Sequence, residues 1–206
     1  MRKLSVWSQA ARPAEQSIPW GRRLFHLVAG SSIPLLGIFL AREVMVPLLA
    51  ALSAVAVLLE VLRFALPGLN RLLVGGVSVL LKETETRRVT GATYMALAAL
   101  LAFLVFDKPV AVLGLLFLSL GDPVAAMVGR RAPGSEVAGK SLWGTGAFFL
   151  MALAAAGLLS QTGVIEPHWA LLVGAGVAAL VEFLPLPLDD NVTVPLVSGV
   201  VMAMLL

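Results

Sequence analysis

From Val110 to Val128 the chain reads VAVLGLLFLSLGDPVAAMV. Apolar side chains cover every helical face of this run, interrupted only by Ser119 and by Asp122 beside Pro123. A helix of this length matches the roughly 30 Å hydrocarbon core of a bilayer. A membrane β-strand would instead alternate apolar and polar positions. On either side, comparable runs occupy Leu24–Ala41, Val44–Leu66, Thr90–Phe106, Leu142–Gln161, Trp169–Pro185 and Val192–Leu206. The pattern predicts an all-α, polytopic integral membrane protein with about seven transmembrane helices. Composition agrees: of 206 residues, 59% are hydrophobic and 13% charged, against about 25% charged in soluble domains. So little polar side chain cannot clothe a water-exposed globule. A soluble enzyme, a disordered chain and an ordinary nucleic-acid-binding domain are excluded. Cysteine is missing, which removes disulfide and thiolate–metal chemistry.

Residues 1–21 are polar and carry Arg2, Lys3, Arg12, Pro13 and Pro19. They read as a cytoplasmic or interfacial arm, followed by one membrane-embedded domain over 22–206. No small-residue cleavage site follows the first apolar run, which therefore reads as a retained span. Gly68–Lys82 places Leu69, Leu72, Leu73, Val77, Leu80 and Leu81 on one helical face, with Arg71, Ser78 and Lys82 on another. This is the pattern of an amphipathic helix lying at the membrane surface. With the N-terminus cytoplasmic, only Arg42 and Lys108 of the 15 basic residues fall outside, as the positive-inside bias requires. That orientation, in a prokaryotic plasma membrane, turns Arg22–Arg23, Glu83–Thr90, Gly121–Ser141 and Leu186–Val194 toward the cytoplasm.

Carboxylates inside spans are costly and mark functional sites. Three stand here: Glu60, Asp122 and Glu182. Glu60 lies one helical turn before Arg63, a spacing that suits a local ion pair as well as a functional role. Glu182 suits an end-of-helix residue reaching toward the interface. Asp122, between Gly121 and Pro123, predicts a broken helix with a carboxylate at the break, as in ion and substrate sites. Downstream, Gly129–Gly144 reads GRRAPGSEVAGKSLWG. Its glycines, Arg130, Arg131 and Lys140, with a helix start at Ser141 or Leu142, suit phosphate binding. Gly134–Ser141 has P-loop spacing, but no buried parallel strand precedes it and a membrane helix follows. Asp189-Asp190-Asn191 offers adjacent oxygens of the kind Mg²⁺ uses together with substrate phosphates. Asp190 or Asn191 also suits the N-cap of the last span. Glu83–Gly91 fits a solvated loop and helix cap, or an arginine fork for phosphate. The two histidines, His26 and His168, fall on opposite sides and cannot form a metal pair; His26 lies beside Arg22–Arg23, where it could orient phosphate.

These blocks, in this order, resemble the CTP-dependent lipid-alcohol kinases: dolichol kinase, phytol kinase and CTP-dependent diacylglycerol kinase. That family is grouped with the phosphatidate cytidylyltransferases in one broad superfamily. Four stretches carry the likeness: Arg22–His26, Glu85–Tyr94, Gly121–Arg130 continued by Gly139–Gly144, and Asp189–Leu196. Trp143 stands where the family commonly has a glutamate, and the long C-terminal signature of the cytidylyltransferase branch is missing. The resemblance implies transfer of the γ-phosphoryl group of CTP to the hydroxyl of a lipid alcohol at the cytoplasmic interface. The acceptor class spans polyprenols, phytol or geranylgeraniol, and diacylglycerol. The cofactor implied is Mg²⁺ (or Mn²⁺), held by Asp122 and Asp190 with Asp189 and Asn191 in support. Nucleotide contacts would come from Arg22, Arg23, Arg87, Arg88, Gly121, Gly129, Arg130, Gly139, Lys140 and Ser141. The catalytic set is Asp122, Glu60 and Lys140, with Asp122 or Glu60 accepting the hydroxyl proton. The expected partners are CTP, the lipid alcohol and membrane lipids, and no nucleic acid; oligomeric state is not legible. A CDP-lipid synthase and a non-catalytic transporter are the rival readings.

Overall fold

The computed structural model describes residues 20–77, 88–132, 136–137 and 139–206. Eight helices run through these residues: α1 (Trp20–Phe39), α2 (Arg42–Ala65), α3 (Pro67–Val77), α4 (Gly91–Val105), α5 (Lys108–Gly129), α6 (Leu142–Gln161), α7 (Trp169–Phe183) and α8 (Asp190–Leu205). A two-stranded hairpin, β1 (Glu136–Val137) and β2 (Lys140–Ser141), joins α5 to α6.

Each of the seven apolar runs is a helix, and α6 matches its expected run end to end. By length and composition α2, α5 and α6 can each cross a membrane; α1, α4, α7 and α8 are shorter apolar helices. The remaining helix, α3, covers the first part of the segment expected to be amphipathic. Its Arg71 and Leu72 are both exposed, and residues 78–82 lie outside the described residues, as do 1–19 of the N-terminal arm.

The break expected at Asp122 does not occur. α5 continues as one helix from Lys108 to Gly129 with Pro123 inside it. Proline removes one hydrogen bond, to the carbonyl of Ser119, but tertiary packing can hold such a helix together. α5 is the hub: 72% of its apolar window is buried, against 22% in α2 and 33% in α6. It packs against α1, α6 and α8, while α7 lies on α8 and α6, and α2 lies on α4. A buried Ser31–Ser119 hydroxyl pair, 3.1 Å apart, ties α1 to this hub.

The bundle has two chemically different ends. At one, Arg42 Nη2 donates to the Leu104 carbonyl in the last turn of α4 at 2.6 Å. There too Lys108 Nζ donates to the Leu40 carbonyl just beyond α1 at 2.9 Å. Both cations neutralise exposed C-terminal helix carbonyls, where a positive charge is favoured. The other end collects the remaining described cations and the carboxylates of interest.

Candidate active site at the cationic end

The C-terminal half of α5 carries Asp122, Ala125, Ala126 and Gly129, spaced i, i+3, i+4 and i+7 and so set on one helical face. α6 starts at Leu142 with Ser141 as N-cap, its Oγ accepting the Gly144 N–H at 3.4 Å. A Cβ on Gly144 would lie 2.7 Å from the Ala125 carbonyl oxygen. Only glycine lets the two helices touch backbone to backbone there. Gly139, at φ +82, turns the hairpin in the left-handed region that favours glycine. The antiparallel pairing of Val137 with Lys140 and Glu136 with Ser141 is not the buried parallel strand of a P-loop.

These elements line an open cavity of about 270 Å³. Its lining brings together Arg23 from α1, Ala125, Ala126 and Gly129 from α5, Arg130, Gly139 and Ser141 from the connection, Gly144 and Thr145 from α6, and Glu182 from α7. That volume falls just under the range of about 300–1,000 Å³ that encloses a whole drug-sized ligand.

Lys140 spans the wall. Its Nζ donates to Glu182 Oε1 at 2.7 Å and to Asp190 Oδ2 at 3.0 Å. Burial alone pushes Lys140 down. Its hydrogen bonds to Glu182 and Asp190, and their charges, more than reverse this and hold it above the ordinary lysine value. The pairing therefore stabilises the fold throughout the neutral range and is lost only as pH climbs through that raised value. Asp122 lies near enough for its charge to act on both Glu182 and Asp190.

Of the expected nucleotide contacts, the cavity gathers Arg23, Gly129, Arg130, Gly139 and Ser141, with Lys140 bonded to its wall. Gly121 is not part of the lining: it is buried, and a Cβ there would meet the Phe148 ring at 2.6 Å, so it serves helix packing. Arg88 is exposed, with its carbonyl engaged by Arg63. Arg87 and the side chain of Arg22 lie outside what is described. Asp189, rather than Asp190 or Asn191, caps α8: its Oδ1 accepts from the Asn191 backbone at 3.0 Å and from Asn191 Nδ2 at 2.6 Å. Its extended backbone at φ −66, ψ 138 is what a cap requires. Asn191 is buried, and its Oδ1 has no hydrogen-bond partner among the described residues. Half-buried Asp122 and Asp190, with this amide oxygen, fit a Mg²⁺ held by one or two carboxylates and completed by substrate phosphates. Among the described residues no three carboxylate or imidazole side chains form a metal cage by themselves.

Glu60 stands in a separate cluster. Its Oε2 accepts from both Nε and Nη2 of Arg63, while its Oε1 accepts from Thr90 N at 2.9 Å and Thr93 Oγ1 at 3.2 Å. Arg63 continues to Asn70 Oδ1 at 3.3 Å and the Arg88 carbonyl at 2.6 Å, so the pair ties α2 to α3 and to the start of α4. Arg63→Met should lower stability by about 3–5 kcal/mol, because it leaves a buried carboxylate uncompensated. Thermal unfolding in detergent measures this; a loss no larger than that of an exposed substitution would make the network ornamental.

Glu182 is the residue that sequence reasoning undervalued, since nothing near it in the chain marks its pairing with Lys140. Ala125 and Ala126 carried a usable signal: with Asp122 and Gly129 they make a small-residue face on one helix.

No family model matches the chain, and no solved structure does. Curated relatives do match. A probable phytol kinase 3, chloroplastic, of Glycine max is 32% identical over 173 residues, covering 68% of this chain and 53% of that protein. A probable phytol kinase 2, chloroplastic, of Oryza sativa is 29% identical over 208 residues, covering 87% and 64%. The CTP-dependent diacylglycerol kinase 1 of Schizosaccharomyces pombe is 29% identical over 157 residues, covering 68% and 71%. The chain thus spans about half the length of the soybean relative. Its sequence is similar to those of phytol kinases and of a CTP-dependent diacylglycerol kinase, which supports the CTP-dependent lipid kinase family.

Proposed function

We propose that the chain is a seven-span membrane kinase that transfers the γ-phosphoryl group of CTP to the hydroxyl of a membrane lipid alcohol. The observation that carries this reading is the cavity beside Lys140. There Arg23 of α1, Arg130 and Gly139 of the α5–α6 connection and Glu182 of α7 line one space, and Glu182 shares Lys140 with Asp190, while the charge of Asp122 acts on both carboxylates. Phosphoryl transfer needs positioning and charge stabilisation more than covalent help from the protein. Arg23, Arg130 and Lys140 supply cations for the triphosphate, and Gly129 and Gly139 allow close approach. Asp122, Asp190 and Asn191 would hold Mg²⁺ (or Mn²⁺), which when bound neutralises phosphate charge. Both oxygens of Glu60 are taken by donors, which favours Asp122 as the group that receives the acceptor's hydroxyl proton.

The cavity lies at the end of the bundle remote from Arg42 and Lys108, so the positive-inside rule supports a cytoplasmic N-terminus and a cytoplasmic active site. α1 and α6 both flank α5 at the cavity, and the acceptor's hydroxyl reaches it from the bilayer while its apolar body stays in lipid. CTP as donor is supported by the diacylglycerol kinase relatives. The test is protein in lipid nanodiscs with Mg²⁺, γ-labelled CTP or ATP, and a panel of polyprenols, phytol, geranylgeraniol and diacylglycerol. Labelled lipid phosphate with CDP is the expected outcome. Pyrophosphate with a cytidine-labelled lipid would replace the kinase by a CDP-lipid synthase, and no nucleotide consumption would leave the transport reading.

A further inference from the structure

Glu182 occupies a place that electrostatics disfavours three times over. It is 5% exposed. It lies in the last turn of α7, where the helix dipole opposes negative charge. The charges of Asp122 and Asp190 also bear on it. What offsets these is Lys140, drawn in from 42 residues away along the chain. Unfavourable placements of this kind collect where function demands them. A carboxylate lining a phosphate cavity would by itself repel the ligand, so its use must lie in what it holds.

We infer that Glu182 is a positioning residue: with Asp190 it clamps the Lys140 ammonium from two helices and fixes it beside the cavity that Glu182 lines. Lysine is a point charge on a flexible stem. One carboxylate would fix its distance, and two from α7 and α8 fix its direction. Such preorganised charge is what stabilises a developing transition state. The catalytic consequence rests on the kinase reading; the clamp itself does not.

Two measurements on the full chain in nanodiscs test this. In competitive acetylation followed by mass spectrometry, Glu182→Gln should raise the labelling rate of Lys140 several-fold relative to Lys108. Lys108 is bonded to the Leu40 carbonyl at the opposite end and serves as internal reference. Glu182→Asp, which keeps the charge on a shorter stem, should give an intermediate rate. Equal Lys140 rates in all three proteins would overturn the clamp. Should Glu182→Gln unfold the protein, Lys108 labelling rises too and Glu182→Asp decides. In turnover, Glu182→Gln should lower kcat while leaving KM for CTP unchanged or reduced, since one negative charge leaves the cavity. In a Lys140→Met background it should cost nothing further, because residues acting through one another are not additive. Independent, additive losses would overturn action through Lys140. Absence of γ-transfer in the unaltered protein sinks the kinase reading and leaves the labelling to decide the clamp.

Discussion

Asp122→Asn should reduce γ-phosphoryl transfer by about a thousandfold or more, the scale set by losing one preorganised charge at a reacting centre, while the protein stays as stable as before. The two expectations come from the same geometry. Asp122 is half-buried on α5, and its charge acts on Glu182 and Asp190. Three carboxylates share the neighbourhood of one lysine, so neutralising one relieves repulsion and should hold or slightly raise the unfolding temperature in detergent. Transfer assayed with γ-labelled CTP, next to a melting curve, reads both halves. Full turnover in the variant would remove Asp122 from the mechanism. A collapse of both activity and stability would make it a packing residue.

Much of this site was legible from residue types, and the unread part has a common physical cause. The apolar helices are legible because a bilayer demands long apolar runs, and the helix start expected at Ser141 or Leu142 is where α6 begins. Arg23, Gly129, Arg130 and Gly139 were readable as phosphate-binding types, and they do converge. Glu182 was not, since its partner Lys140 belongs to the hairpin before α6 and only the α6–α7 packing brings them together. The same holds for Glu60. Its spacing to Arg63 was visible, but its bonds to Thr90 and Thr93 depend on how α4 lies against α2. Asp122–Pro123 read as a break because proline is costly in an isolated helix, whereas α5 is the hub of the bundle and its neighbours hold it. Local chemistry shows in sequence; pairing across helices does not.

Lys140→Met should lower turnover by about a hundredfold or more and, unlike Asp122→Asn, lower stability as well, by about 1–3 kcal/mol. Methionine keeps the apolar length of the stem and removes only the ammonium. Glu182, with its side chain 7% exposed, then faces Asp190 and Asp122 with no cation between them. Asp190, at 34%, and Lys140, at 30%, are open enough to water that the cost stays below that of breaking a fully buried pair. Removing the second charge should restore part of the loss, so Lys140→Met with Glu182→Gln should melt above Lys140→Met alone. Millimolar Mg²⁺ should raise the melting temperature of Lys140→Met more than that of the unaltered protein, because the abandoned carboxylates would draw in another cation. Thermal unfolding in matched detergent, with and without chelator, measures all three. A Lys140→Met protein that melts and turns over normally would reduce the two ion pairs to surface decoration, and with them the cationic wall proposed to bind phosphate.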